Sequence, residues 1–232
     1  MNNINKVLIV AAHPDDEILG CGGTIARHID QNDEVSVLFL TDGVSSRNAS
    51  LSDKILKNEK DKRKNAALEV SRYLGYSNIV FGTFPDNKCD TVPLLDIVQF
   101  IEKNIDILKP NIVYTHFCND LNIDHRKTFE AVITAARPTN SSSIDSIYSF
   151  EVPSSTEWNF SNEVKQFSPN HFINIQRYFE KKEYALKCYE MEIRAFPFPR
   201  SFKGIDALAT FRGAQSGFSK AEAFMVVRQK FK

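Results

Sequence analysis

The order of apolar and polar positions predicts alternating strands and helices over the first 138 residues. Lys6–Ala11 (K-V-L-I-V-A) is a continuous β-branched run, as expected for a strand covered on both faces. A helix-period stretch follows from Glu17 to about Asp30. Glu34–Leu40 (E-V-S-V-L-F-L) is a second buried run. Helical spacing returns from about Asp53 to Leu74, and Gly75 supplies the stop. Asn78–Phe81 reads as a short third strand. Pro93 opens a further helix, where its missing N–H costs nothing, and Pro110 closes the connection. Asn111–Thr115 is a fourth strand, and a helix from about Asp124 to Ala136 ends before Pro138. This β-α repetition predicts a single-domain α/β fold, Rossmann-like, with a largely parallel sheet and helices on both faces.

The second half is less periodic. Thr139–Ser143 is a polar loop, and Glu151–Asn162 mixes Pro, Ser, Thr and Trp158 without a clear period. His171–Ile175 is a candidate strand, Gln176–Ile193 a helix, and Ala195–Arg200 (A-F-P-F-P-R) a proline-punctuated loop. No repeat or composition break marks a second domain, so residues 1–232 are expected to form one.

Charge narrows the function. Lys+Arg and Asp+Glu both number 29, which argues against a nucleic-acid binder or a membrane-surface protein, whose mark is a basic excess. No apolar run is long enough to insert in a membrane. Cys21, Cys89, Cys118 and Cys188 are scattered without a C-x-x-C pair, which excludes a zinc ribbon or redox dithiol and fits a reduced, cytoplasmic protein.

Ala12-His13-Pro14-Asp15-Asp16-Glu17 follows the first strand, at the sheet edge where open α/β folds bind ligands. Three consecutive acids beside a histidine repel one another and lose solvation if buried, so they need a positive partner. A divalent cation supplies one: His13 and Asp16, three apart across a turn, can point at a common centre. The plainer alternative has Asp15 and Asp16 answering a helix dipole, with His13 incidental. A second cluster, His116-x-x-x-Asp120-x-Asn122-x-Asp124-His125-Arg126, follows the fourth strand and lies on the same edge. His125 could complete a two-histidine, one-carboxylate site, a ligand set suited to Zn²⁺ that also accepts Fe²⁺ or another first-row ion. Asp124 is equally a helix N-cap, which does not prevent His125 from being a ligand. His28, inside a helix, and His171, in a late strand, read as structural. Gly20-x-Gly22-Gly23 is not a dinucleotide loop, because acids stand where a pyrophosphate would sit; these glycines are expected to let the first helix pack closely.

A-H-P-D-D-E, followed by Leu19-Gly20-Cys21-Gly22-Gly23-Thr24 and by Asp124-His125-Arg126, resembles the PIG-L/LmbE-like N-deacetylases. Thr41-Asp42-Gly43, Arg63, Pro85-Asp86, Arg212-Gly213 and Ala221-Glu222-Ala223-Phe224 are similar to further family features. The resemblance covers most of the chain to about residue 138 and again from about 204. It implies a zinc-dependent hydrolase that removes an N-acetyl group from an amino sugar or sugar conjugate. In that scheme His13, Asp16 and His125 bind the metal, Asp15 takes a proton from metal-bound water, and Arg63 and Asp86 hold the substrate.

One departure stands out. Many members have His-Pro-Asp-His, whose first histidine helps stabilise the oxyanion and is oriented by the aspartate; this chain has Asn122-Ile123-Asp124-His125. A neutral amide donates a hydrogen bond to an oxyanion but transfers no proton at neutral pH. Asn122 is therefore expected as the oxyanion donor and Asp15 as the proton shuttle, with His116 the alternative acid. The competing classes are a non-catalytic metal- or sugar-binding relic and a deacylase of a non-sugar amide. Substrate choice is expected in the loops Asp42–Asp53 and Glu151–Asn170. Subunit number is left open, and a homo-oligomer is compatible with the chain.

Overall fold

Strand β1, Lys6–Ala11, is buried at every position after Lys6, as a β-branched run covered on both faces must be. It lies centrally in a seven-stranded sheet of order β3-β2-β1-β4-β5-β7-β6. The computed structural model describes residues 4–46, 52–76, 78–139, 142–161, 163 and 165–231. Positions 47–51 of the first expected substrate loop therefore lie outside the described residues, as do 140 and 141 of the polar loop and 162 and 164 of the later one.

β1 pairs in parallel with β2 (Glu34–Phe39) and β4 (Ile112–His116), and β2 with β3 (Asn78–Phe81). The intervening helices are α1 (Asp16–Asp30), α2 (Asp53–Leu74), α3 (Leu94–Leu108) and α4 (Ile123–Ala135). All match the sequence pattern within a residue or two. Gly75 ends α2 in the left-handed conformation at φ +96°, its N–H returning to the Ser71 carbonyl, which glycine adopts without steric cost.

Successive β1 residues point to opposite faces and build two cores. Val7, Ile9 and Ala11 pack with α1, α2 and two later helices, α5 (Phe179–Cys188) and α6 (Phe202–Ser216). Leu8 and Val10 pack with α3 and α4. The sheet is thus covered on both sides, as the pattern predicts.

The second half departs from its reading. β5 (Ser146–Phe150), α6 and β7 (Ala221–Gln229) have no counterpart in the sequence analysis. β5 extends the parallel set beside β4, whereas β7 runs antiparallel to both β5 and β6 (His171–Asn174), making the sheet mixed. The helix expected over Gln176–Ile193 breaks into a 3₁₀ turn, α5 and a second 3₁₀ turn.

α1 is broken at Cys21, whose φ of −145° is not helical. Glu222 on β7 accepts the freed N–H groups of Gly23 (3.0 Å) and Thr24 (2.7 Å). Lys182 on α5 donates to the Leu19 carbonyl (2.9 Å) and to Glu222 (2.6 Å). The break therefore leaves no orphaned donor at Gly23 or Thr24. The neighbouring glycines do pack closely: a Cβ on Gly20 would lie 2.3 Å from the Phe150 ring, and one on Gly23 2.8 Å from Ile175. α1 is held tightly onto the sheet, and its first turn carries Asp16.

Candidate active site

The chain leaves β1 for β2 on one side and reaches β4 on the other, so the crevice beyond the carboxyl ends of β1 and β4 is the sheet's switch point. His13 follows β1, His116 ends β4, and Asp124 and His125 stand in the first turn of α4. The two clusters of the sequence meet there, and all of these side chains are buried.

One oxygen of Asp16 is the hub. Its Oδ2 accepts the His13 N–H at 2.9 Å and lies 3.0 Å from His13 Nδ1, 3.3 Å from His125 Nε2 and 3.5 Å from His116 Nε2. Its other oxygen, Oδ1, is buried without a hydrogen-bond partner. Burial alone would raise Asp16, but the charges of His125 and His13 outweigh it and hold the carboxyl well below its ordinary range. Ligand atoms of His13, Asp16 and His125 all fall within 4.8 Å of one another.

Each histidine of that trio turns its other nitrogen towards carboxylates. His13 Nε2 is 3.2 Å from Asp124 Oδ2 and 3.3 Å from Asp86 Oδ1. Asp124 is itself fixed by the backbone N–H groups of Asn87 (2.6 Å) and Cys89 (3.0 Å), and Asp86 by the Ser46 N–H (2.8 Å). His125 Nδ1 lies 3.1 Å from Asp120 Oδ1, close enough to pair in charge though out of hydrogen-bond alignment. Asp120 is held by the hydroxyls of Ser155 and Thr156. Burial opposes charge on both imidazoles, yet the surrounding carboxylates prevail: His13 is raised well above its usual value and His125 to about 9. His13 likewise draws Asp86 down to about 2 against the opposing effect of burial.

Asp15 stands apart from this hub. Its backbone is at φ 136°, a region L-residues rarely occupy, and its N–H is held by Glu17 Oε2 at 2.9 Å. Glu17 in turn accepts the Tyr189 hydroxyl at 2.7 Å, and burial raises it to about 8. Arg63 Nη1 lies 3.3 Å and Arg200 Nη1 3.0 Å from Asp15 Oδ2. Burial is the largest influence on Asp15 and leaves its carboxyl raised despite both guanidinium groups.

Three residues sit differently from their expected roles. Arg63 borders a pocket beside Pro14 and Phe81, yet its guanidinium is enclosed: it is 1% exposed, donates to the Pro14 carbonyl at 2.6 Å, and pairs with Glu192. Asn122 caps α4, its Oδ1 accepting the Asp124 N–H at 2.8 Å while its Nδ2 donates to Asn87 Oδ1 at 3.1 Å. Asp124 thus orients His13 rather than a side chain at position 122. His116 is fully buried, stacked 3.9 Å from the His125 ring, and its Nε2 accepts the Ala12 N–H at 2.8 Å. Burial and the charge of His125 push it well below its usual value, and a neutral ring that accepts the Ala12 N–H at Nε2 keeps its proton on Nδ1. Asp120 was visible within its cluster but given no task; Arg200 and Glu192, from an irregular segment, carried no sequence signal.

At this switch point His13, Asp16 and His125 form a group that could hold a metal ion, with the Asp15 carboxylate beside it. The profile of the PIG-L family, GlcNAc-PI de-N-acetylase, matches residues 8–136, more than half of the chain, which therefore belongs to that family. The chain is 27% identical over 236 residues to the diacetylchitobiose deacetylase of Thermococcus kodakarensis, covering 97% of this chain and 84% of that protein. It is 28% identical over 206 residues to the 4-oxalmesaconate hydratase of Pseudomonas putida, covering 81% and 74%. Among solved structures, the N,N'-diacetylchitobiose deacetylase of Pyrococcus horikoshii superposes with a TM-score of 0.77 at 21% identity, covering 97% of this chain and 85% of that one.

Because Arg63 is enclosed by Pro14, Asp15 and Glu192, removing it leaves buried carboxylates short of a counter-charge. Arg63→Ala should lower stability by about 3 kcal/mol, read as a lower urea midpoint. An unchanged midpoint would mean that the guanidinium faces solvent or substrate instead.

Proposed function

We propose that the protein is a zinc-dependent hydrolase that removes the acetyl group from an N-acetylated amino sugar or sugar conjugate. The observation that carries this reading is the convergence of His13, Asp16 and His125, with the Asp15 carboxylate paired to Arg200 beside them. The trio fits a cation on its own chemistry: a buried carboxylate oxygen lacks a partner, and a carboxylate stands behind each imidazole, on the nitrogen away from the centre. His13 Nδ1, Asp16 and His125 Nε2 would hold the ion; Zn²⁺ suits the set, and Fe²⁺ or another first-row ion is compatible. Such a cation activates a water at neutral pH and polarises the acyl oxygen.

Asp15 takes one proton from the attacking water. The carbon–nitrogen bond then breaks, Asp15 returns that proton to the departing nitrogen, and the water's second proton leaves the new carboxyl for the amine, giving acetate and an ammonium group. A carboxyl raised by burial is suited to both halves of this transfer. We assign His116 to packing beneath His125, Asn122 to capping α4, and Asp86 to the substrate side of the His13 network. To the remainder of the substrate we assign a pocket of about 370 Å³ beside Pro14, lined by Arg63, Phe81 and Phe84 with Thr41, Asp42 and Lys60. Apolar rings flanked by hydrogen-bonding groups are the surface a sugar presents its two kinds of face to. The four cysteines are free, which supports a reducing, cytoplasmic setting. The likeness to a hydratase favours one second reading, in which the same centre adds water to its substrate without splitting an amide.

The test is acetate release from a panel of N-acetyl sugars, chitooligosaccharides and sugar conjugates by zinc-loaded protein. Asp15→Asn should keep the metal and lower kcat by roughly 10²–10⁴. Acetate release from none of the panel would overturn the deacetylase reading, and loss of metal in Asp15→Asn would make Asp15 a ligand.

Metal uptake should depend on pH in a defined direction. With His125 raised to about 9 and His13 also raised, binding below that pH must displace protons, so zinc affinity falls as pH falls, by about tenfold per unit for each proton displaced. Chelator competition between pH 6 and 9 reads this directly. A flat affinity over that range would contradict the ligand set.

A further inference from the structure

Arg200 lies in the stretch 139–203, where the sequence motifs resemble the family least, 185 residues from the aspartate it meets. Its Nε donates to the Pro153 carbonyl at 3.1 Å and to Ser154 Oγ at 2.7 Å, which fixes the guanidinium plane. Its Nη1 then falls 3.0 Å from Asp15 Oδ2 and 3.6 Å from Glu192 Oε2. Residues 153–154 run directly into Ser155 and Thr156, whose hydroxyls hold Asp120 behind His125. One short segment therefore braces both the carboxylate behind a candidate metal ligand and the cation on the candidate base.

We propose that Arg200 is the positioning residue for the Asp15 carboxylate, fixing which of its oxygens takes the proton. The inference rests on Asp15 being the general base. Arg63 and Arg200 both bind Oδ2, so the proton passes to Oδ1, the oxygen that neither cation holds. A carboxylate has a soft final torsion, and two charge-assisted contacts to one oxygen remove its freedom to exchange the two. The strained backbone at Asp15, φ 136°, makes its side chain depend on such outside support. The two arginines differ in access. Arg63 is sealed at 1% side-chain exposure, whereas Arg200 keeps 14% and reaches Asp15 from the outer loop. A space left by Arg200 is thus open to a small cation.

Arg200→Ala should retain zinc and lose less of its urea midpoint than Arg63→Ala, while kcat falls about a hundredfold and KM changes less than threefold, the pattern of a misplaced reacting group. Millimolar guanidinium chloride should restore part of kcat in Arg200→Ala and none in wild type, and Arg200→Lys should lie between. A kcat within threefold of wild type, or a loss matched by metal loss and unrescued by guanidinium or lysine, would overturn the proposal. Crystal structures of wild type and Arg200→Ala give a reading free of any activity. The Asp15 carboxylate should be single in the first and rotated or divided in the second; an unchanged carboxylate overturns the inference. Wild type inactive on every acetamide would overturn the proposed function, while the crystallographic comparison still decides the role of Arg200.

Discussion

A buried negative charge organises this molecule. Asp16 is 1% exposed at the start of α1, and a carboxylate taken out of water persists only where positive charge and hydrogen bonds replace the lost solvation. Here His13 and His125 supply that charge, and both need carboxylates of their own to remain charged in the interior. Asp124 and Asp86 answer His13, Asp120 answers His125, and backbone N–H groups and hydroxyls satisfy those acids in turn. The result is a layered polar network inside an otherwise apolar sheet. Replacing two imidazole protons by a divalent cation would preserve its balance of charge, so the group could hold a metal ion.

The framework that delivers these groups was largely visible in the chain. Parallel strands covered on both faces read as unbroken apolar runs, and the helices between them have clear stops such as Gly75, so β1 to β4 and α1 to α4 were legible. His13, Asp16 and His125 were legible for a related reason: they lie a few residues beyond strands that the α/β repeat makes neighbours. β5 was missed because its serines interrupt the apolar run and are buried only through pairing with β4 and β7. α6 was missed because Gly204 and Gly213, close against backbone, weaken its helical signal. Both depend on tertiary contacts that no local pattern records.

Roles were harder to read than positions. Asn122 offers an amide that suits an oxyanion, but the residue preceding a helix is claimed first by the helix's own N–H groups. Arg63 carried the expected fork for a substrate, yet its helix turns inward at that position and spends the fork on Pro14, Asp15 and Glu192. The residues that brace the site from outside, Ser155, Thr156, Glu192 and Arg200, come from loops and 3₁₀ turns. Their value lies in a distance across the fold, and nothing in their sequence neighbourhood encodes it.

Anomalous diffraction at the zinc edge, from crystals of the zinc-loaded protein, tests this account most directly. It predicts one strong peak within bonding distance of His13 Nδ1, Asp16 and His125 Nε2, with Asp15 and His116 outside the coordination sphere and Asp124 and Asp120 still behind the two imidazoles. A peak ligated by His116, or no peak between β1 and β4, would contradict it.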